Sequence, residues 1–155
     1  MINGSPHREE NTFIALSEVA KALEANGEEA EIVSIGTKAV QGCIACGRCR
    51  ELGRCVFKDE LYNKIREKLG TADGIVIGSP VYYAGSNGSL CALLDRLFYS
   101  AGNLLAYKPA ASVAVCRRGG ASATFDRLNK YFTIAGMPVA SSQYWNSIHG
   151  NNASE

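Results

Sequence analysis

The sequence predicts an α/β protein built on a parallel sheet covered by helices on both faces. Three observations carry that expectation. Short apolar, β-type runs alternate with amphipathic helical stretches along the whole chain. The glycine-rich and aromatic loops all follow strands, so one rim of the sheet collects them. The chain has 155 residues, 46% hydrophobic and 20% charged, enough for one domain with a real core.

The elements follow in order. Residues 12–27, "TFIALSEVAKALEANG", place Phe13, Leu16, Val19, Ala20 and Leu23 on one helical stripe. Asn11 or Thr12 is the expected cap, and Gly27 the stop. "EAEIVSI" (29–35) reads as a strand. Asp59 is the expected N-cap of a helix that buries Leu61, Ile65 and Leu69 and closes at Gly70. "DGIVIGSP" (73–80) is β-branched and apolar, hence a strand buried on both faces. "LCALLDRLFYSA" is a helix, "ASVAVC" (111–116) a second buried strand, and "TFDRLNKYFTIAG" a helix with Phe125, Leu128 and Phe132 inward. "MPVASS" (137–142) is the expected last strand.

Both ends read as clipped. Only Met1 and Ile2 stand where a first strand belongs, and after "YWNSIHGNNASE" no closing helix follows. A missing central strand would leave two rows of backbone groups unpaired, a heavy loss against a total stability of roughly 5–15 kcal/mol. Residues beyond the ends, or a covering partner subunit, are expected.

Net charge is +1, which gives no footprint for nucleic acid or an anionic membrane. No apolar run approaches the ~20 residues of a membrane span, and no signal peptide is visible. The expectation is a cytoplasmic protein. In a reducing cytosol clustered cysteines serve as metal ligands or reactive thiols more often than as disulfides.

Three rim loops carry the candidate binding chemistry. "NGSPHREENT" (3–12) offers Ser5, His7, Asn11 and Thr12 before a helix N-terminus, which suits a phosphate; Arg8 adds a cation. It is neither a Walker A loop nor G-x-G-x-x-G, and an N-capped loop without ligand fits it equally. "SPVYYAGSNGSL" (79–90) supplies flat faces at Tyr82 and Tyr83 and glycines for close backbone approach. Alone, it reads as a loop with two packing tyrosines. "CRRGGAS" (116–122) again suits close approach at Gly119 and Gly120. Converging on one rim, the three favour a mononucleotide with a planar ring.

Four of the six cysteines, Cys43, Cys46, Cys49 and Cys55, fall in one loop with spacing C-x₂-C-x₂-C-x₅-C. Gly42 and Gly47 permit tight wrapping, and Arg48, Arg50 and Arg54 lie among the thiols. The spacing resembles the compact cysteine run of ferredoxins. A cluster, zinc, a disulfide and free redox-active thiols all remain open. Cys91 and Cys116 read as small buried hydrophobes, Asp95 and Arg96 as surface or interface charges, and His149 as a solvent-exposed residue. No Ser/His/Asp or paired-carboxylate arrangement stands out, so no catalytic side chain is expected.

"NGSPHREENT", "GSPVYYAGSNGSLCALLDR" and "RRGGASATFDRLNKYF" resemble the NADPH-dependent FMN reductase-like branch of the flavodoxin-like superfamily, and the cysteine loop resembles that of its iron–sulfur flavoproteins. The resemblance implies one flavodoxin-like domain over residues 1–155, with strand order 2-1-3-4-5 and the cysteine-rich loop at 42–57. It implies FMN held by Ser5, His7, Asn11 and Thr12 at the phosphate. Pro80, Val81, Tyr82, Tyr83, Ala84 and Gly85 would lie around the ring and ribityl chain, and Arg118, Gly119 and Gly120 on the third side. It implies NAD(P)H as cosubstrate, a small-molecule or protein electron acceptor, and a homodimer or homotetramer. The expected activity is NAD(P)H-dependent FMN oxidoreduction. The alternatives are an electron carrier with a [4Fe–4S] cluster on Cys43, Cys46, Cys49 and Cys55, and a non-enzymatic zinc or thiol module.

Overall fold

The computed structural model describes residues 1–152 and 154; positions 153 and 155 of the expected domain lie outside the described residues. The order is β1 (Ile2–Asn3), α1 (Asn11–Ala25), β2 (Val33–Ser34), α2 (Cys49–Leu52), α3 (Glu60–Thr71), β3 (Ile75–Tyr82), β4 (Gly85–Ser86), α4 (Gly88–Ala101), β5 (Ala110–Cys116), α5 (Ala121–Ile134) and β6 (Ser147–His149). The sheet runs β2-β1-β3-β5-β6 with all these pairs parallel, while β4 folds back antiparallel on β3. With that hairpin set aside, this is the expected 2-1-3-4-5 order of a doubly wound sheet.

The centre of the sheet is the β3–β5 pair, in register from Ile75 with Ala110 to Pro80 with Val115. Side chains alternate faces along these strands. Ile75 and Ile77 join the larger core with α3, α4 and α5, whereas Val76, Val113 and Val115 turn to α1. Helix α4 drives the larger core: Leu90, Leu93, Leu94 and Leu97 are all fully buried, at the spacing of one helical face. Each is worth roughly 1.5–3 kcal/mol of burial. On the other face α1 packs against the sheet, beside a groove of about 400 Å³ between Val19, Val113 and Trp145.

Several expectations need correction. The first strand is short but present: Ile2 and Asn3 pair with β2 on one side and β3 on the other. Residues 137–142 do not form the last strand. Val139 makes only an isolated bridge to Ala110, and β6 comes later, at Ser147–His149 beside β5. The strand expected over 29–35 shrinks to Val33–Ser34 because β1 offers only two residues to pair with. Neither Asn11 nor Thr12 caps α1; Glu10 occupies the N-cap and no side chain bonds there. Of the expected α1 stripe only Leu16 is buried, joined by Thr12 and Ala15. In α3 Tyr62 replaces Leu61 on the buried face, and the helix runs past Gly70 to Thr71. The Asp59 cap is as expected, its carboxylate accepting from the Tyr62 N–H at 3.0 Å.

Candidate functional site

Two sites meet on this frame. The first is the rim. Gly4 closes the first turn, its N–H donating to the Gly78 carbonyl at 2.8 Å. A Cβ at Gly4 would lie 2.4 Å from Leu90 Cδ2 and 2.7 Å from the Gly78 oxygen, so only glycine lets the loop leave β1 here. Ser5 is buried; its N–H donates to Asn3 Oδ1 at 3.0 Å and its hydroxyl accepts from the His7 N–H at 3.1 Å. The loop thus wraps over the start of α1, whose first N–H groups have no side-chain acceptor. His7 points outward, 3.7 Å from Glu10 Oε1. Thr12 is buried against Gly78, where a Cβ would meet Thr12 Cγ2 at 3.0 Å.

The second rim segment is a hairpin rather than the loop expected over 79–90. Strand β3 continues through Pro80, Val81 and Tyr82, and Val81 and Tyr82 pair with Ser86 and Gly85 of β4. The turn between them is Tyr83–Ala84, with φ of 50° and 58°. Two successive left-handed residues define a type I′ turn, which ordinarily takes Asn-Gly. Holding it with tyrosine and alanine costs on the order of 1–2 kcal/mol per residue. Strain of this kind gathers where a ligand is held. Tyr83 is fully exposed at the tip and Tyr82 half-exposed. Behind the turn, Ser79 Oγ accepts from the Asn87 N–H at 3.0 Å, and Asn87 caps α4 through Ser89 and Leu90.

The third segment touches the second. Gly120 has φ of 92°, and a Cβ there would lie 2.7 Å from Ala84 Cα. Arg118 and Gly119 are exposed beside it. Three buried polar atoms without partners also sit on these segments: Asn11 Oδ1 at the start of α1, Ser86 Oγ in the hairpin, and Thr124 Oγ1 in the first turn of α5. A native fold leaves few such atoms unsatisfied, and a ligand lined with phosphate, hydroxyl and carbonyl groups satisfies them. Turning the Asn11 amide about its axis offers its NH₂ as a further phosphate donor. The rim therefore fits FMN.

The second site is the cysteine loop. Cys43, Cys46, Cys49 and Cys55 all line one cavity of about 130 Å³, which Arg96, Tyr99 and Ser100 of α4 also line. Tight wrapping comes from Ala45, Gly47 and Gly53, with φ of 53°, 70° and 61°. Arg66 pins the last of these turns, donating to the Gly53 carbonyl at 2.6 Å. Cys43 and Cys46 are exposed, and Cys49 and Cys55 half-buried. All six cysteines are free. Among the described residues no group of three or more His, Cys, Asp or Glu stands, as placed, to hold a metal ion. The fit to a metal cluster therefore rests on the chemistry of four cysteines that line one cavity.

Sequence reasoning missed the residue that organises this cavity. Arg96, expected at the surface, is 1% exposed. Its Nε donates to Cys55 Sγ at 3.3 Å, its Nη1 to the Gln41 carbonyl at 3.2 Å, and its Nη2 to the Phe57 carbonyl at 3.3 Å and to the Asp59 carboxylate. The guanidinium also lies over the Tyr62 ring at 4.8 Å and the Phe57 ring at 5.5 Å. Burial works against the Asp59 carboxylate, but the Tyr62 N–H and the Arg96 guanidinium outweigh it and hold its pKa below the ordinary value. Asp95 ties α4 to α5, accepting from the Tyr131 hydroxyl at 2.5 Å. Burial and that carboxylate push the Tyr131 hydroxyl well above the ordinary phenol value. Cys116 is buried as expected, Cys91 only partly, and His149 is exposed on β6.

A parallel sheet whose rim loops meet over a helix N-terminus defines a flavodoxin-like protein, and solved structures share the fold. A flavone reductase matches with a TM-score of 0.72 at 16% identity, over 95% of this chain and 51% of that one. An archaeal flavodoxin matches with a TM-score of 0.64 at 14% identity, over 97% of this chain and 82% of that one. The chain belongs to the NADPH-dependent FMN reductase family, whose model matches residues 1–152. It is a flavoprotein of oxidoreductase type with FMN as its cofactor. It is 37% identical to an iron–sulfur flavoprotein of Methanocaldococcus jannaschii, over 89% of this chain and 72% of that protein. It is 32% identical to an iron–sulfur flavoprotein of Methanosarcina thermophila, over 99% of this chain and 83% of that protein. Among the described residues no helix is long and apolar enough to cross a membrane.

Proposed function

We propose that this flavin oxidoreductase works as an iron–sulfur flavoprotein, with FMN on the rim and a [4Fe–4S] cluster on Cys43, Cys46, Cys49 and Cys55. The observation that carries the reading is that all four cysteines line one cavity. FMN supplies, when bound, a ring that takes up a hydride or single electrons. The chain's own part is binding and orientation. The free N–H groups of α1, with Ser5, Asn11 and Thr12, hold the phosphate. The strained turn at Tyr83–Ala84, with Val81, Tyr82 and Gly85, would offer backbone groups to the ring, and Pro80 would stiffen the approach. Arg118, Gly119 and Gly120 close the third side. His7, turned outward, would act only through the loop, its N–H donating to Ser5 Oγ. One domain over residues 1–155, cytoplasmic residence and assembly as a homodimer or homotetramer belong to the same proposal.

A second reading is NAD(P)H-dependent hydride transfer to FMN, then on to a quinone, free flavin or oxygen, without a cluster; the family's description favours it. Anaerobic purification followed by iron and sulfide analysis separates the two. The first reading expects brown protein with roughly four iron and four sulfide per chain, as a [4Fe–4S] centre requires. Yellow, iron-free protein that oxidises NAD(P)H rapidly overturns it in favour of the second.

A further inference from the structure

The cysteine loop is fastened at its neck by one side chain. Residue 41, before the first cysteine, and residue 57, after the last, both give their carbonyls to Arg96. The same guanidinium donates to the sulfur of Cys55. A guanidinium has five N–H groups, and four are taken here, in directions set by its planar fork. The backbone of Cys55 is held too: its N–H donates to the Tyr62 hydroxyl at 2.9 Å, which lies 2.6 Å from Ser100 Oγ. Arg96 and Ser100 are one turn apart on α4, and Ser100 Oγ donates to the Arg96 carbonyl at 2.6 Å. Cys55 is thus fixed at its sulfur by Arg96 of α4 and at its backbone by Tyr62 of α3 before any ligand arrives, whereas Cys43 and Cys46 stand on exposed chain.

The charge is as telling as the geometry. A helix that buries Leu93, Leu94 and Leu97 also buries a full positive charge beside them. Its carboxylate partner, Asp59, keeps 42% of its side chain exposed. Desolvating a guanidinium costs several kcal/mol unless strong partners surround it. A cavity with a buried cation on its wall favours an anionic occupant, and a cluster held by four thiolates is one.

We propose that Arg96 is the positioning residue of the cysteine site. It closes the loop's neck through Gln41 and Phe57, and sets a fixed N–H and a positive charge against the Cys55 sulfur. The loop thereby receives a thiolate-held, net-negative cluster whose reduction potential the cation raises. This rests on the cluster reading above. The reduced cluster carries one more negative charge than the oxidised one, so a nearby cation stabilises it more, as do hydrogen bonds to ligand sulfur.

The test uses FMN-loaded protein reconstituted anaerobically with ferrous iron and sulfide, as wild type, Arg96→Gln and Arg96→Lys. Gln removes the charge and the fork; Lys keeps the charge but not the fork. Both variants are expected to release iron at least tenfold faster than wild type. Arg96→Gln is expected to lower the cluster's reduced-to-oxidised ratio about tenfold at fixed potential, about 59 mV for a one-electron couple. Arg96→Lys is expected to recover most of that shift, which a purely structural role would not produce. FMN affinity, read by fluorescence titration, reports folding. Should neither variant fold, wild type labelled with ¹⁵N-arginine decides: pulsed EPR of the reduced cluster is expected to show a ¹⁵N coupling, and its absence overturns the inference. Loaded variants equal to wild type in iron release and potential also overturn it, leaving the cluster reading intact. Wild type that takes up no iron and sulfide overturns the cluster reading, and the inference with it.

Discussion

Asp59 does two jobs, capping α3 and answering the buried charge of Arg96. Its folded pKa lies below the ordinary carboxylate value. The stability it contributes is therefore complete above that ordinary value, about 3.9, and is lost as pH falls through the lower folded one. Urea midpoints measured from pH 6 to pH 3 are expected to show the gap between wild type and Asp59→Asn closing at the acid end. Gly4 is the second decisive residue. Gly4→Ala drives a Cβ into the Gly78 carbonyl and Leu90, and is expected to lower stability by about 1–3 kcal/mol, seen as a fall in Tm. Arg96 shows why a residue can be illegible in sequence. Beside Asp95, among helical polar residues, it reads as surface charge. The available signal was its spacing, three residues after Leu93 and four before Ser100, which keeps it close to the buried stripe.

At the scale of elements, the strands that anchor the rim were readable, because β3 and β5 are β-branched and buried on both faces. The Asp59 cap and the inward face of α5 at Phe125, Leu128 and Phe132 were readable for the same local reason: the side chain that forms the feature lies in the segment itself. The β3–β4 hairpin was not. A type I′ turn is recognised by Asn or Gly, and this one is made by Tyr83 and Ala84. Its consequence is testable. Ala84→Gly relieves a left-handed alanine and is expected to stabilise the fold by about 0.5–1 kcal/mol in thermal unfolding, the backbone entropy of glycine taking back part of the relief. The last strand was misjudged because 137–142 and 147–149 are both short. Which of them follows β5 depends on the path of the intervening chain, where the Asn146 amide donates to the Ser112 carbonyl.

For the molecule as a whole, the candidate flavin site joins segments far apart in sequence: the start of α1, the hairpin after β3 and the loop before α5. A ligand that bridges them binds the folded state alone. FMN at a hundredfold over its Kd is expected to add about 2.7 kcal/mol. In a domain of this length that raises Tm by roughly 5–10 °C. Riboflavin, lacking the phosphate, is expected to give a much smaller rise, and equal shifts for both would remove the α1 terminus from the site.

The short strand β1 has a further consequence. Ile2 and Asn3 pair with β2, and the bonds from Val33 to the Met1 carbonyl, from Ile35 to the Asn3 carbonyl, from the Met1 amino group to the Glu31 carbonyl and from the Asn3 amide to Ser34 Oγ are the seam. So slender a hinge lets β2 peel away without disturbing β3 and β5. In deuterated water the amides of Val33 and Ile35 will lose their protons through this partial opening, well before those of Ile77 and Val113, whose release waits for global unfolding.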